Sequence, residues 1–578
     1  MESVASTYGQ DPAGQSGTSK INAALLETFT DFRASLLSTD YQNQRRRNEH
    51  RAYVNRITAL KSAGAIQLLF KAAGDYVSLD SASRQDDPTK LYEAYIYGTA
   101  ISPMIAGCSS CNWERFMELI SPPDTPFFGP GSLASAPSQG DLSDLFASLV
   151  SVVQDSYSCM GVTCSMVGGS DLVPQCSPPS LTPMAGYEPA TDVDGHARMD
   201  RDVRRIYSLA SNENDYAWEH ALFAYGNGMN SVKSDGTVRT LRGMSRGDFA
   251  KRKLGMSPVS KDYETYWGSY DATDEWITSL MPGGLNWGSD SGVTWVARQN
   301  MVVKSLATET MQQYSWGEMG DSYFDCSSGE DALDPTHHFD ESVAFYVGGN
   351  VQDGPATRID EALCGDLSYT NAVKRSFNFE GVSDSVNADA NTEYLSLAEE
   401  GKGLLLAGDC QGFGGSIGRG EVVKKILTAS YVSHLQGLLR YAYLGSLSTG
   451  GSKERAEGWA FARAILPAIS ACDKGAAETI RGQMDYFGGK YDDYAEVYRA
   501  AERSYKCLGL DCGMVGDLAE SQCGGSECPS ATKCLYEGKS SGSTSSSSGA
   551  VRRWSLSGWG GTVVAIVAAF AGLSMLAI

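Results

Sequence analysis

Basic residues are scarce in this sequence relative to acidic ones. The 578 residues include 47 lysines and arginines against 69 aspartates and glutamates, a formal net charge of −22. Nucleic-acid binding needs a basic surface, so this composition argues against nucleic-acid partners and favours cationic ligands.

Alternating valine, isoleucine and threonine are also scarce, and most patterned segments have helical periodicity. The sequence therefore predicts a mainly α-helical fold. Predicted helices include residues 21–37, 91–106, 422–444, 454–471 and 491–507.

A recognisable signal peptide is also lacking, since residues 1–20 contain no apolar stretch. At the other end, residues 539–550 are almost entirely serine and glycine, and residues 562–578 form an uncharged, mostly apolar run. Small residues at 548–550, a polar spacer and an apolar tail predict GPI attachment at Ser548, with a tail-anchor helix as the alternative. Either anchor places the bulk of the chain on the extracellular side of the plasma membrane. That location requires the secretory pathway, so we expect that the sequence lacks its true start.

Cysteine is well represented, with fourteen residues of which several are closely spaced. Zinc ligation is the alternative for such pairs. Cys108 and Cys111 have the usual gap for zinc ligands, but no second pair of equal spacing follows them. We therefore predict disulfides and an oxidising compartment, with pairings that the spacing does not reveal. The candidates are Cys108, Cys111, Cys159, Cys164, Cys472, Cys507, Cys512, Cys523, Cys528 and Cys534.

One cysteine-containing motif occurs twice, at residues 156–168 and 504–516, with eight of thirteen positions identical. Before each copy, a glutamate (Glu93 or Glu457) stands ten residues before a proline (Pro103 or Pro467). Two copies suit a bilobal protein rather than a solenoid, which needs at least three repeats. The sequence thus predicts two pseudo-repeated, disulfide-stapled helical lobes with long loops. The predicted boundaries are a disordered terminus at 1–20, lobes at 21–190 and 191–530, a Ser/Gly-rich linker at 531–561 and an anchor at 562–578.

Candidate metal ligands lie between the two motif copies. The segments that begin at Glu219 and Glu341 share the pattern Glu-x-x-x-Phe-x-x-Gly, and His337 and His338 precede the second segment. On a helix, His338 and Glu341 share one face at a spacing that is used for metal ligation. The alternative is an ordinary first helical turn with a favourable acid, and core packing for the aromatic residues.

Five segments carry a family resemblance: Gly228–Gly243, Phe339–Gly348, Gly437–Tyr443, Glu457–Pro467 and Tyr505–Cys512. Together they resemble the algal iron-assimilation family, the low-iron-induced surface proteins also called phytotransferrins. The resemblance runs through roughly residues 200–520, with a fainter copy in 21–177. It implies a cell-surface protein that binds ferric iron with carbonate as a co-bound anion and is then internalised. We expect no enzymatic activity.

Ferric iron is a hard cation that carboxylates and phenolates suit, and carbonate needs a cation or a helix N-terminus beside the metal. The expected metal ligands are His338, Asp340, Glu341, Tyr346, Glu219 and Tyr225. The expected anion-binding residues are Arg239, Thr240 and Arg440. Two other functions stay open: an imelysin-like metal-dependent peptidase, which His338-x-x-Glu341 suggests, and a structural or adhesive surface protein.

Overall fold

The computed structural model describes residues 20–37, 44–80, 83–84, 89–120, 139–157, 159–168, 173, 183–233, 235–246, 260–288, 291–328, 334–351, 364–380, 388–414, 421–524 and 527–535. The chain divides into a compact unit, Met1–Glu537, and a second unit, Gly538–Ile578. The second unit lies outside the described residues, and so do residues 1–19, the predicted attachment site at Ser548 and the predicted anchor at 562–578.

The N-terminal lobe has its own hydrophobic core, which runs in sequence from Ile21 to Val173 and contains the fully buried Phe70 and Phe116. Burial of an apolar face against neighbouring helices, rather than intrinsic propensity, stabilises helices of this kind. The helices are α1 (Lys20–Leu37), α2 (Gln44–Ser78), α3 (Thr89–Ala106), α4 (Ser110–Ile120), α5 (Gln139–Asp155) and α6 (Cys164–Val167).

The C-terminal lobe has a second, larger core that runs from Met184 to Cys528. Its helices are α7 (Asp194–Ala197), α8 (Met199–Ala210), α9 (Asp215–Asn227), α10 (Leu241–Ser245), α11 (Ser260–Trp267), α12 (Ala272–Ser279), α13 (Trp295–Ser305), α14 (Gln312–Ser328), α15 (Pro335–Val347), α16 (Ser368–Ser376), α17 (Asp389–Leu406), α18 (Cys410–Gly414), α19 (Glu421–Ser446), α20 (Ser452–Cys472), α21 (Lys474–Met484), α22 (Tyr494–Leu508) and α23 (Cys512–Val515). Short 3₁₀ turns follow at Glu520–Cys523 and Ser530–Thr532. Helix α14 packs against α15, and α19 packs against α20. The fold is therefore mainly α-helical, as predicted.

The strands described in this lobe are two residues long and form one antiparallel pair. Strand β1 (Phe379–Glu380) pairs with β2 (Asp517–Leu518), with Phe379 opposite Leu518 and Glu380 opposite Asp517. The pair ties the segment after α16 to the segment after α23.

A π-helical turn, Leu306–Met311, joins α13 to α14. Such turns are rare and frequently lie at functional sites. Glu309 in this turn is fully buried, and its Oε1 accepts a hydrogen bond from Arg463 Nε of α20 at 3.1 Å. The turn directly precedes α14, the helix that carries Tyr314 and Glu318.

The duplicated motif has matching local contacts in its two copies. In each copy a short helix, α6 or α23, begins after a capping side chain, a threonine in the first and an aspartate in the second. A glutamine from a long helix then donates to the valine carbonyl of the motif, Gln67 to Val167 at 2.8 Å and Gln436 to Val515 at 2.9 Å. These contacts concern the motif alone, and a repeat of whole lobes stays a prediction.

All ten predicted cysteines are disulfide-bonded, so they are not zinc ligands. The pairs are Cys108–Cys159, Cys111–Cys364, Cys326–Cys410, Cys472–Cys507, Cys512–Cys534 and Cys523–Cys528. Cys164 is also in a disulfide. Cys108–Cys159 and Cys472–Cys507 tie the two motif copies to the helices that contain Pro103 and Pro467. So many disulfides are consistent with an extracellular or secreted protein.

Covalent and ionic contacts join the two lobes. Beside the disulfide between Cys111 and Cys364, Arg201 of α8 donates to Asp155 at the end of α5, with 2.6 Å between Arg201 Nη2 and Asp155 Oδ1. Arg51 of α2 forms an ion pair with Glu219 of α9.

Across the described ranges, no helix has both the length and the apolar character to span a bilayer.

Candidate metal centre

Helix α15 has strong start signals. Asp334 at the N-cap accepts hydrogen bonds from the first backbone N–H groups of the helix, and Pro335 occupies the first helical position. This start places His337, His338 and Glu341 in the first two turns. Residues three and four apart share a helix face, so both histidines reach the same carboxylate.

The carboxylate of Glu341 contacts three histidines. Its Oε1 lies 2.7 Å from His196 Nε2 and 3.1 Å from His337 Nε2, and its Oε2 lies 3.5 Å from His338 Nδ1. The side chain is 11% exposed. Burial acts to raise the pKa of Glu341, but hydrogen bonds from the three histidines outweigh it and hold this pKa below its usual value. The carboxylate is therefore charged and suited to a cation.

Two carboxylates of α14 face His338 from the other side. His338 Nδ1 lies 2.9 Å from Glu318 Oε2, and His338 Nε2 lies 3.3 Å from Asp325 Oδ2. Glu318 is almost fully buried, with 2% of its side chain exposed. A buried carboxylate is costly unless a cation compensates it. This position therefore favours an imidazolium or a metal ion beside Glu318.

Asp340 orients His337 through Thr191. Thr191 Oγ1 donates to Asp340 Oδ2 at 2.9 Å, so this hydroxyl has no proton left for His337 Nδ1, which lies 3.0 Å away. His337 Nδ1 must therefore carry a proton and donate to Thr191. In a neutral imidazole this leaves the lone pair on Nε2, the atom that faces Glu341. Relays of this kind set the tautomer of metal-binding histidines.

His196, which lies in the short helix α7, has conflicting neighbours. Its Nε2 is contacted by both Glu341 Oε1 and Arg239 Nη2. A guanidinium only donates and a carboxylate only accepts, so neither neutral tautomer satisfies both. Burial lowers the pKa of His196, although Glu341 acts to raise it, which disfavours the imidazolium. A cation between His196 and Glu341 would accept a lone pair from the imidazole nitrogen and another from the carboxylate oxygen.

Four of these side chains line a cavity of about 370 Å³: His196, Glu318, His338 and Glu341. The cations Lys233 and Arg239 also line this cavity, and they lie near the two ends of an exposed hairpin closed by Val232 and Val238. Thr240 follows and caps α10, where its Oγ1 accepts the backbone N–H of Gly243, the third residue of that helix, at 2.9 Å. The cavity therefore holds carboxylates and fixed cations at once.

Tyr314 of α14 brings a phenol to the same cavity. Burial is the main cause that raises the pKa of Tyr314 well above its usual value. The charges of Glu318 and Glu341 act in the same direction, and Arg239 opposes them. Tyr314 is therefore a protonated phenol in the metal-free protein, and a cation of high charge is needed to replace its proton.

The donor atoms fall into two groups that share Glu341, and within each group they lie within 4.8 Å of one another. The groups are His196, His337 and Glu341, and Glu318, His338 and Glu341. Metal–ligand bonds of ~2.1 Å place neighbouring donors ~3.0–3.4 Å apart. The nitrogen–oxygen separations to Glu341, 2.7 to 3.5 Å, are close to that requirement. Imidazole with carboxylate suits first-row transition ions, and two histidines with one carboxylate is a set that holds non-haem iron.

Four of the predicted site residues meet at this cavity: His338, Glu341, Arg239 and Thr240. The other five have their hydrogen-bond or ion-pair partners away from the cavity. The pairs are Asp340 with Tyr187 and Thr191, Tyr346 with Asn391, Glu219 with Arg51, Tyr225 with Asp274, and Arg440 with Gln522. Of these five, Asp340 still acts on the site, through Thr191.

Five residues of the cavity and its donor groups were absent from the predicted ligands: His196, His337, Glu318, Tyr314 and Lys233. His337 stands four residues before Glu341, and this spacing identifies it as readily as it does His338. Tyr314 and Glu318 are also four apart on α14. His196 and Lys233 carry no local signal, because tertiary folding alone brings α7 and the hairpin to α15.

Comparison of the chain with family models, with curated proteins and with solved structures found no match. The class of site therefore rests on its own geometry. The site has the donor set of a transition-metal centre beside two fixed cations.

Proposed function

We propose that the protein binds ferric iron as its cargo at this cavity, with carbonate as a co-bound anion. The observation that supports this most is the convergence of His196 and His338 with two buried carboxylates on a cavity that also presents two cations, while His337 joins the same donor groups through Glu341. A buried carboxylate is stabilised by a cation. A bound metal ion is in turn stabilised by an anion that completes its coordination. The carboxylates and the cations that line the cavity meet these two needs.

The donor types suit iron. Glu318 and Glu341 are hard oxygen donors, and Tyr314 offers a phenol at the same cavity. Ferric iron accepts oxygen donors of this kind, and imidazole is also a ligand of iron. The high pKa of Tyr314 means that a weakly charged ion leaves the phenol protonated. Coordination by Tyr314 therefore favours ferric over ferrous iron.

The anion partners are Arg239, Lys233 and Thr240. Arginine presents several N–H donors in one plane and binds oxyanions in pairs of hydrogen bonds. Thr240 Oγ1 accepts a backbone N–H, and no hydrogen bond among the described residues uses its own proton. That proton is available for a carbonate oxygen. This part of the proposal makes iron binding depend on bicarbonate.

We place this activity at the cell surface, followed by internalisation. The disulfides support an extracellular location, and the net charge of −22 attracts cations toward the protein. The resemblance to phytotransferrins supports attachment to the plasma membrane, through GPI at Ser548 or a tail anchor, and uptake with the bound iron. No enzymatic step is needed for this role.

Titration of the full-length protein with ferric citrate, with and without bicarbonate, tests the proposal. We expect a charge-transfer band from tyrosinate to iron that saturates with added iron and is weaker without bicarbonate. Tyr314→Phe should lose the band, whereas Tyr346→Phe, which removes another buried phenol outside the cavity, should keep it. Absence of iron binding would refute the carrier function. Iron binding of equal strength with and without bicarbonate would show that carbonate is not a co-bound anion.

A proteolysis assay separates the carrier from the metal-dependent peptidase. The spacing of His338 and Glu341 and the open cavity also suit a metal with a free coordination position. Incubation with a casein panel and added zinc should give no cleavage by the wild-type protein. Cleavage that disappears in Glu341→Gln would favour the peptidase.

A further inference from the structure

We propose that the centre holds two metal ions, with Glu341 as a bridging ligand whose two oxygens bind different ions. The proposal rests on the metal binding argued above and adds the number of ions and their division among the residues. The first ion is assigned to His196, His337 and Glu341 Oε1. The second is assigned to His338, Glu318 and Glu341 Oε2.

The division follows from the contacts of the two Glu341 oxygens. Oε1 faces His196 Nε2 at 2.7 Å and His337 Nε2 at 3.1 Å. Oε2 faces His338 Nδ1 at 3.5 Å, and that same nitrogen lies 2.9 Å from Glu318 Oε2. Each oxygen therefore has its own donor partners, and no histidine is shared between them.

The donor separations disfavour a single ion. One ion with bonds of ~2.1 Å keeps all its donors within ~4.2 Å of one another. The two groups each meet a 4.8 Å limit, but their five residues do not meet it as one group. A single ion would thus have to leave some donors unused. Two ions use all of them, and two-metal centres have ions ~3.5–4 Å apart.

Each half of the centre also has its own orienting carboxylate. Asp340 holds Thr191, which fixes the proton of His337 on Nδ1 and directs Nε2 to the first ion. Asp325 lies 3.3 Å from His338 Nε2 and leaves Nδ1 for the second. Carboxylates behind metal-binding histidines raise their basicity and fix their tautomer. The two neighbouring histidines are thus oriented separately, His337 toward Glu341 Oε1 and His338 toward Glu318 and Glu341 Oε2.

Charge balance links the two ions to the anion. Glu318, Glu341 and Asp325 bring three negative charges, which two ferric ions exceed. Hydroxide or carbonate has to make up the difference, and Arg239 and Lys233 lie where such an anion can be held. A bridging anion between the ions is therefore part of the same arrangement.

The test is the number of irons that each chain retains. The full-length protein, stripped with chelator, is loaded with ferric citrate and bicarbonate, desalted and assayed for bound iron. We expect about two irons in the wild type, about one each in His337→Ala and in Glu318→Gln, and almost none in Glu341→Gln. In the wild type, electron paramagnetic resonance should show coupled ions, and in the two single variants it should show isolated high-spin ferric iron.

Glu219→Gln is the matched control and should retain two irons, since it makes the same chemical change outside the cavity. Thermal unfolding of each variant confirms that it folds. One iron per wild-type chain with an uncoupled spectrum would overturn the two-ion centre and leave the carrier function intact. No iron in the wild type would overturn both, so the two failures are distinguishable.

Discussion

Helices α9 and α15 carry the same sequence pattern and use it differently. Glu219 of α9 is 43% exposed and pairs with Arg51 of the N-terminal lobe. Glu341 of α15 is 11% exposed and contacts three histidines. The phenols that follow, Tyr225 and Tyr346, are buried and hydrogen-bonded in both cases. One carboxylate therefore joins two lobes, while the other is the centre of the candidate metal site.

The difference lies in what neutralises each carboxylate. Arg51 is a permanent cation, since guanidinium does not lose its proton in proteins, and no metal ion can replace it without breaking the lobe contact. The histidines around Glu341 can be neutral, and their lone pairs and the carboxylate can then share one cation. Metal binding commonly releases protons in this way. Neighbouring residues, rather than the repeated glutamate, define the site.

The largest expected effect comes from one amide substitution made at both glutamates. Glu341→Gln removes a charged ligand that all three histidines face, so ferric affinity should fall by ~100-fold or more, beyond the range seen for orienting groups. Glu219→Gln should leave the affinity unchanged, since its carboxylate pairs with Arg51. Competition with a coloured ferric chelator measures both. Equal losses in the two variants would mean that the glutamates act through the fold.

A tenfold to 100-fold loss of ferric affinity is expected for Asp340→Asn, typical of groups that orient a ligand. The amide can donate to Thr191, which then offers its own proton to His337 Nδ1 and reverses the tautomer. Asp274→Asn is the control, because Asp274 accepts from Tyr225 at 2.9 Å as Asp340 accepts from Tyr187 at 2.6 Å.

The readouts are iron affinity across pH and the thermal midpoint. If Asp340 only supports the fold, its variant should lose stability as the Asp274 variant does, with iron affinity and its pH profile unchanged. A loss of affinity at an unchanged midpoint, with a shifted pH profile, is the result that a positioning role requires.

Local spacing predicted the part of the site that lies on one helix. His338 and Glu341 are three residues apart, and the structure places them together as that spacing requires. The same pattern led to Glu219, whose partner Arg51 lies 168 residues away in sequence. No local pattern contains that information. His196 was absent from the predicted ligands for the same reason, since it reaches Glu341 only through the packing of α7 against α15.

The helices were more predictable than the site because each depends on its own periodicity. The helix predicted at residues 21–37 is observed as Lys20–Leu37, and the one predicted at 454–471 is observed as Ser452–Cys472. Pro103 and Pro467 lie inside the observed helices, as the predicted helices at 91–106 and 454–471 require. The disulfide pairings were beyond the sequence, because the Cys111–Cys364 bond depends on how the lobes meet.

Two arginines give the next comparison, with an effect of about tenfold. Arg239→Gln removes a cation that faces the cavity, so the gain in iron affinity that bicarbonate provides should fall by about tenfold, the value of one charge-assisted hydrogen bond. Arg440→Gln removes an arginine whose Nε bonds to Gln522 at 2.7 Å, and it should leave the bicarbonate effect intact. Ferric titration at several bicarbonate concentrations measures both. An undiminished bicarbonate effect in Arg239→Gln would place the anion elsewhere.

The loops after the two helices are held by two aspartates of α8, and this gives a last comparison, which concerns stability rather than iron affinity. Asp202 accepts from the backbone N–H of Asn230 at 3.2 Å after α9, and Asp200 accepts from that of Asn350 at 3.2 Å after α15. Burial raises the pKa of Asp202 to about 7, although its hydrogen bonds act to lower it. In the unfolded chain an aspartate has its ordinary pKa of ~3.9.

The folded state therefore binds one more proton than the unfolded state between those two pKa values, so Asp202 contributes stability at low pH that is lost as the pH rises toward about 7. Asp202→Asn has no such titration. The difference in unfolding free energy, wild type minus variant, should fall by ~1 kcal/mol per pH unit between about pH 4 and 7 and level off above. Urea unfolding of the oxidised protein across this range measures it. A difference that stays constant with pH would show that Asp202 is already ionised in the fold and that the loop after α9 is held by a full charge.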